Sequence, residues 1–367
     1  EVMKDVLRCV GAVVTHKQHR LEVEVGEILT SEIPETLTRK LRASNLVMGA
    51  LLSRTGKANV AYPGGCEIGS RPLDLHLKGL QLLGGKISEK GGFIRARTGQ
   101  LVGAEIHLDF PSVGATENLM LASVRAKGVT IIRNAAKEPE IIDLQNFLNS
   151  MGAKVRGAGI GTIVVKGVES LSGTEHEVIP DRIEVATFMV AGAITQGDVI
   201  IRNAIPEHVE PVIAKMREIG AEVTINEDMI RVRGFPDHKG VNLKTLPYPG
   251  FPTDVQPQML ALLTTAQGAS MVTETVFENR FKHAAELRRM GADITVEGRM
   301  AVIKGVPKLS GAFVEATDLR AGVALILAGL VAEGITVVEN ASHILRGYEN
   351  IDGKLNQLGA KIIYVEN

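Results

Sequence analysis

Residues 63–76 read Pro-Gly-Gly-Cys-Glu-Ile-Gly-Ser-Arg-Pro-Leu-Asp-Leu-His. One thiol, Cys66, stands among three glycines and two prolines, and Arg71 follows where a helix is expected to begin. A loop of this kind leaves a thiol accessible, and a nearby cation and helix N-terminus both lower its pKa. Such a thiol can hold a proton near neutral pH and still part with it. The plainer reading is a small cysteine that packs like alanine, and the loop alone leaves both open.

Other residues could share that chemistry. Arg42, Arg71, Arg280, Arg320 and Arg346 are each expected where a strand or loop meets a helix. Guanidinium groups take phosphate and carboxylate in a bidentate grip, and helix N-termini add to the attraction. Taken singly, each arginine reads as a solvated charge; their recurrence at equivalent junctions points to a shared anionic cleft between domains. Asp254 and Asp318 both follow threonine and are expected to open helices. Asp is favoured there for capping alone, yet Asp254 could also accept a proton from a substrate hydroxyl. Ser112-Val113-Gly114-Ala-Thr116 reads as a small-residue loop whose backbone N–H groups could approach a phosphate. No glycine-rich dinucleotide fingerprint and no P-loop accompany it.

The elements that must position these residues repeat. An amphipathic helix, then Gly-Ala or Gly-Gly, then a strand recurs at Gly11, Gly84, Gly152, Gly220, Gly291 and Gly359. Glycine suits a helix C-cap with positive φ. A second helix is expected to end at Gly56, Gly128, Gly197, Gly268 and Gly334. Period-2 and helical stretches alternate between them, so each unit is read as β-α-β-α-β-β. Six such units exceed one core. Two domains of three units are expected, 1–179 and 180–367, hinged at Ile179-Pro180-Asp181. The first and last units are incomplete, and a period of about 70 leaves roughly 50 residues unaccounted for. An N-terminal truncation is therefore expected. Departures from the period mark candidate sites: about four extra residues around Cys66, a longer stretch at Tyr248–Asp254, and one at Arg346.

Bulk numbers limit the function classes. The 367 residues are 45% apolar, enough for sizeable cores. Lys plus Arg number 41 against 42 acidic residues, so no basic excess points to nucleic acid. No uncharged apolar run is long enough to span a membrane, and no signal-peptide pattern opens the chain. Two cysteines, Cys9 and Cys66, make neither a disulfide framework nor a metal cluster. A reducing cytoplasm is the expected location.

The Cys66 loop, Lys40-Leu-Arg-Ala-Ser44, Phe110–Thr116, Phe251-Pro-Thr-Asp254, Thr275–Arg280, Ala316–Arg320 and Arg346-Gly-Tyr348 occur in order along the whole chain. Together they resemble the UDP-N-acetylglucosamine enolpyruvyl transferases (1-carboxyvinyltransferases, the MurA family). The six-unit repeat alone would fit the shikimate-pathway sister enzymes, which lack the cysteine loop. The resemblance implies an α/β fold of two inverse α/β barrels. It implies transfer of enolpyruvyl from phosphoenolpyruvate to the 3′-hydroxyl of UDP-N-acetylglucosamine, with release of phosphate, as the first committed step of peptidoglycan synthesis. Cys66 then matches a general acid and fosfomycin target, Asp254 the residue at the reacting hydroxyl, and Asp318 an aspartate that handles protons. Arg71 and Arg346 match phosphoenolpyruvate contacts. Arg42, Arg71, Pro72, Leu73, Asp74, Leu75, Ser112, Val113, Gly114 and Val276 match nucleotide-sugar contacts; Arg280 and Arg320 are counted with the substrate-binding arginines. No metal or organic cofactor is required, and no membrane or nucleic-acid partner is implied. The family's N-terminal Lys-Asn pair has no counterpart here, so this chain is expected to be inactive or weak and a full-length version active. Two alternatives are an enolpyruvyl transferase acting on a shikimate phosphate and a non-catalytic sugar-nucleotide-binding paralogue.

Overall fold

A computed structural model describes residues 1–62, 68–69 and 72–366, with only the backbone at Arg42. The chain divides into two compact units. One comprises 1–66 and 71–179; the other comprises 180–367 and takes in residues 67–70, of which Ile68 and Gly69 are described. Each unit has its own apolar core.

The first unit opens with α1 (Val2–Cys9) and the hairpin β1 (Ala12–Lys17)–β2 (Arg20–Val25). Next come β3 (Glu32–Ile33), the short α2 (Glu35–Thr38), a 3-10 turn at Arg42–Asn45, α3 (Leu46–Thr55) and β4 (Lys57–Ala61). Then follow α4 (Asp74–Leu82), β5 (Lys86–Lys90) and β6 (Phe93–Arg97). The order recurs as β7 (Glu105–His107), α5 (Val113–Ser123), β8 (Val129–Arg133), α6 (Pro139–Ser150), β9 (Lys154–Arg156) and β10 (Thr162–Lys166).

The second unit runs α7 (Arg182–Ile194), β11 (Asp198–Ile201), α8 (Glu210–Ile219), β12 (Glu222–Asn226) and β13 (Met229–Arg233). It continues with β14 (Leu243–Lys244), α9 (Gln256–Leu263), β15 (Ala269–Thr273), α10 (Lys282–Arg289), β16 (Asp293–Glu297) and β17 (Met300–Lys304). Last come β18 (Phe313–Glu315), α11 (Leu319–Gly329), β19 (Val337–Glu339), α12 (Ser342–Leu345) and α13 (Ile351–Gln357).

Three repeats build the same four-stranded sheet, with orders β3-β4-β6-β5, β7-β8-β10-β9 and β14-β15-β17-β16. The first pair in each is parallel and the others are antiparallel. A parallel pair needs a crossover, and α3, α5 and α9 supply it. These helices are small-residue rich and apolar nearly all round, as interior helices are. All eight residues of α9 are buried, and α7, α9 and α11 pack on one another in the second core. The outer helices are one-sided: α10 buries His283, Ala284 and Leu287 and exposes Lys282, Arg288 and Arg289.

The six glycines of the first-helix series all have φ between 91° and 106°. The second series behaves differently. Only Gly56 directly caps its helix; Gly128, Gly268 and Gly334 follow a further turn, and at Gly197 the positive φ moves to Gln196. Another glycine type recurs where β10 and β17 end. A Cβ on Gly167 would lie 1.6 Å from the Ala126 carbonyl oxygen, and on Gly305 1.6 Å from that of Ala266. There the strand end crosses the turn after an inner helix, and only a hydrogen fits. Gly305→Ala should therefore cost about 1–3 kcal/mol or more through backbone displacement, read as a lowered urea midpoint. Gly220→Ala, where the space is open, meets only the positive-φ penalty of roughly 1 kcal/mol.

Two expectations about local structure change. The helix after the Cys66 loop starts at Asp74, with Leu73 as N-cap. Ser112–Thr116 is not a loop: Ser112 is the N-cap of α5, its hydroxyl accepting the Ala115 N–H at 3.3 Å. Val113 and Gly114 thus form the first helical turn.

Candidate active site

Cys66 and Arg71 lie outside the described residues. The remaining candidates fall in two groups, one in each unit.

In the first unit, a buried asparagine organises the candidates. Asn118 of α5 is fully buried. Its Oδ1 accepts the Gly49 N–H of α3 at 2.7 Å, and its Nδ2 lies 3.2 Å from the Asn45 carbonyl and 3.0 Å from His76 Nδ1 on α4. One side chain therefore ties together the Arg42–Asn45 turn, the helix that begins at Asp74 and the helix that begins at Val113. A Cβ on Gly114 would touch the His76 ring at 3.3 Å, so α4 and α5 meet closely at their N-terminal ends. Asp74, Ser112, Val113 and Gly114 belong to those ends. Exposed backbone N–H groups there suit an anion.

A cavity of about 750 Å³ opens at the other end of α3 and α5, lined by Ser53, Arg54, Gln100, Arg125, Lys127 and Gly167 among others. It meets carbonyl ends of helices, where basic side chains answer the dipole, and none of the candidate residues lines it.

The first unit also holds a group without a signature in the sequence. Glu117 of α5 is pushed up to about 7, by burial first and then by Glu140 and Glu138. A glutamate on a helix is ordinarily a surface charge; only the packing of α6 against α5 makes this one different.

In the second unit, four candidates converge. Arg280, only 2% exposed, donates to Asp254 Oδ1 at 2.7 Å and reaches Asp318 Oδ1 at 3.6 Å. It also donates to the Thr253 carbonyl at 3.3 Å and lies 6.0 Å from the Phe277 ring centroid. Arg320 reaches Asp254 Oδ2 at 3.5 Å. Asp254 is 39% exposed, so its carboxylate is held by the two arginines and still partly reached by solvent. It precedes α9 by one residue, Val255 being the N-cap, and so it does not cap that helix. Asp318 does cap α11, accepting the N–H groups of Arg320 and Ala321 at 2.9 and 3.1 Å. Capping places Arg320 in the first turn, facing Asp254.

Burial opposes the Arg320 charge, but Asp254, Tyr348 and Asp181 outweigh it and hold the pKa above its ordinary value. Its Nε and Nη1 have no hydrogen-bond partner among the described residues. Buried donors of that kind are costly to leave unmade, and an incoming acceptor would satisfy them. The loop carrying Val276 is set by Glu274, fully buried, whose Oε1 accepts from Thr245 Oγ1 and the Val276 and Phe277 N–H groups; its Oε2 accepts from Thr253 Oγ1. Arg346 differs from the expected junction. It is exposed and ends the four-residue α12 as its C-cap, away from a helix N-terminus.

His283 was not singled out by sequence. It is fully buried in the first turn of α10. Burial lowers its pKa from 6.5 to about 4, Asp318 opposing and Arg280 assisting. The folded state thus excludes a proton that the unfolded chain takes up below pH 6.5. Stability is full above that pH, falls as the pH drops from 6.5 towards 4, and then levels; the span is worth about 3 kcal/mol. The difference in urea stability between wild type and His283→Leu should follow that curve. A difference constant from pH 7 to 4 would refute it.

Comparisons with known proteins agree on one family. The family model described as EPSP synthase (3-phosphoshikimate 1-carboxyvinyltransferase) matches residues 1–355. A UDP-N-acetylglucosamine 1-carboxyvinyltransferase 1 of Carboxydothermus hydrogenoformans is 60% identical over 349 residues, covering 93% of this chain and 83% of that protein. The protein of the same name from Caldanaerobacter subterraneus subsp. tengcongensis is 55% identical over 361 residues, covering 98% and 87%. Among solved structures, the enolpyruvyl transferase NikO from Streptomyces tendae superposes with a TM-score of 0.87 at 25% identity, covering 98% and 86%. An EPSP synthase from Acinetobacter baumannii, with TM-score 0.75, 21% identity and coverage of 98% and 87%, shares the fold.

Proposed function

The chain belongs to the enolpyruvyl transferase family that includes EPSP synthase and the UDP-N-acetylglucosamine 1-carboxyvinyltransferases, and from that premise we propose that it transfers enolpyruvyl from phosphoenolpyruvate to the 3′-hydroxyl of UDP-N-acetylglucosamine. Phosphate leaves, and the product enters peptidoglycan synthesis in the cytoplasm. The observation that carries this reading is the 60% identity to a relative of that name over 93% of the chain.

The residues can be given roles on chemical grounds. The hydroxyl adds to the central carbon of phosphoenolpyruvate while a proton goes to its methylene carbon. Phosphate then departs as a proton leaves the new methyl group, which restores the double bond. That scheme needs an acid, a base and cations for phosphate and carboxylate. Cys66 is the proposed acid and Asp254, partly exposed, the proposed base. Asp318, engaged as a cap, holds Arg320 in place and stays near the protons being moved. Arg71, Arg280, Arg320 and Arg346 supply positive charge. Arg42, Pro72, Leu73, Asp74, Leu75, Ser112, Val113, Gly114 and Val276 are the proposed sugar-nucleotide contacts.

The test is an acceptor comparison on the protein expressed from its full reading frame. Phosphate release is expected with phosphoenolpyruvate plus UDP-N-acetylglucosamine, and not with shikimate 3-phosphate as acceptor. Release with the shikimate ester alone, or binding of the nucleotide sugar without release, would defeat the proposal.

A further inference from the structure

Beneath the Asp254–Arg320 pair lies a polar knot that none of the roles above uses. Tyr348 is 1% exposed, and the Arg320 guanidinium lies 5.3 Å from its ring centroid. Its hydroxyl is 2.8 Å from Thr187 Oγ1 on α7 and 3.3 Å from Gln258 Nε2 on α9. Thr187 spends its own proton on the Ile183 carbonyl at 2.8 Å, so the tyrosine hydroxyl donates to Thr187 and accepts from Gln258. The Gln258 amide nitrogen also faces the Asp254 carbonyl at 2.9 Å and Thr187 Oγ1 at 3.1 Å; with two N–H groups for three acceptors, one N–H is shared between the two hydroxyls. Two interior helices and the segment after α12 meet at one phenol.

We propose that Tyr348 is a positioning residue for enolpyruvyl transfer. Its hydroxyl fixes the ring, the ring fixes the plane of Arg320, and the shared Gln258 amide fixes the backbone of Asp254. The inference rests on the function proposed above.

The geometry gives the reason for expecting an effect on rate. Arg320 meets Asp254 Oδ2 at 3.5 Å, a contact held by orientation more than by a tight bond. A ring free to tilt would move that guanidinium, and displacements of about 1 Å at reacting groups slow chemistry more than binding. An apolar packing role would make the hydroxyl dispensable, but here it is buried between Thr187 and Gln258, and its removal releases the ring from both.

Steady-state kinetics on the protein expressed from its full reading frame test this. Tyr348→Phe keeps the ring and should lower kcat roughly three- to tenfold, with KM for both substrates changed less than about twofold. Thr187→Val should do the same, and Thr187→Ser, which keeps the hydroxyl, should restore most of the rate. The Thr187 pair decides the matter if Tyr348→Phe fails to fold. Unchanged kcat in Tyr348→Phe and Thr187→Val, or equal loss in Thr187→Ser and Thr187→Val, overturns the positioning role alone. A wild type that releases no phosphate with either acceptor overturns the functional reading, and the proposal with it.

Discussion

Arg280→Met is expected to destabilise the second unit by about 3 kcal/mol, the lower part of the range for breaking a buried ion pair from one side. Arg280 is 2% exposed and its guanidinium lies between the carboxylates of Asp254 and Asp318. Methionine fills most of the volume, so the loss is electrostatic and not a cavity effect. What remains is Asp318 without the Arg280 cation and Asp254 with Arg320 at 3.5 Å. Asp254, 39% exposed, recovers water on one side; Asp318, 14% exposed, cannot. That contrast is why the lower part of the range is expected. Arg280→Lys keeps the charge but loses the fork that serves Asp254 and the Thr253 carbonyl together, and should cost about 1–2 kcal/mol. Two units need not unfold together, so the measurement is native-state hydrogen exchange of the α10 and α11 amides. A loss below 1 kcal/mol in Arg280→Met would show that Asp254 and Asp318 are accommodated without it.

How much of this was legible follows from the physics of each residue. The helix-cap glycines were readable because positive φ imposes glycine on the sequence six times at nearly equal spacing. The β-α-β-α-β-β order followed from them; three sheets show it in full, whereas the fourth unit forms only β11-β13-β12 and lacks the leading strand among the described residues. Asp254, Arg280, Asp318 and Arg320 were readable because charged residues stand out beside interior helices of small apolar residues. Their roles were less so: Asp318 is a cap as well as a site candidate, and Asp254 is not a cap at all. Ser112–Thr116 reads as a loop but forms a cap and a helical turn, because small residues suit loops and interior helices equally. Asn118, Gln258, Thr187, Tyr348 and His283 left no local mark. Each is a polar residue of a kind common in helices and turns, and partners lie up to 161 positions away. Only tertiary packing distinguishes such a residue from a surface one.

Asp254→Asn should lower kcat by about 10²–10⁴-fold, the usual contribution of a positioned proton acceptor. Asparagine has the same shape and can still accept from Arg280 through its oxygen, so the local geometry is largely kept. What it lacks is the negative charge and the affinity for a proton. Stability should change by less than about 1 kcal/mol, since the removed charge is 39% exposed and Arg280 retains Asp318. The split between kinetic constants separates the possible roles. A fall in kcat with a nearly unchanged KM for UDP-N-acetylglucosamine is the result expected of a base at the reacting hydroxyl. A raised KM with kcat intact would make Asp254 a binding group only, and the proton would then have to leave through Asp318 or a solvent molecule. Asp254→Glu adds a sharper condition. It preserves charge and basicity but moves the carboxylate by one methylene, out of the grip of Arg280 and Arg320, whose contacts at 2.7 and 3.5 Å set its position. If position matters as much as basicity, Asp254→Glu should remain at least tenfold below wild type. Full recovery in that variant would mean that charge alone at this place suffices, and that the two arginines serve the substrates and not the base.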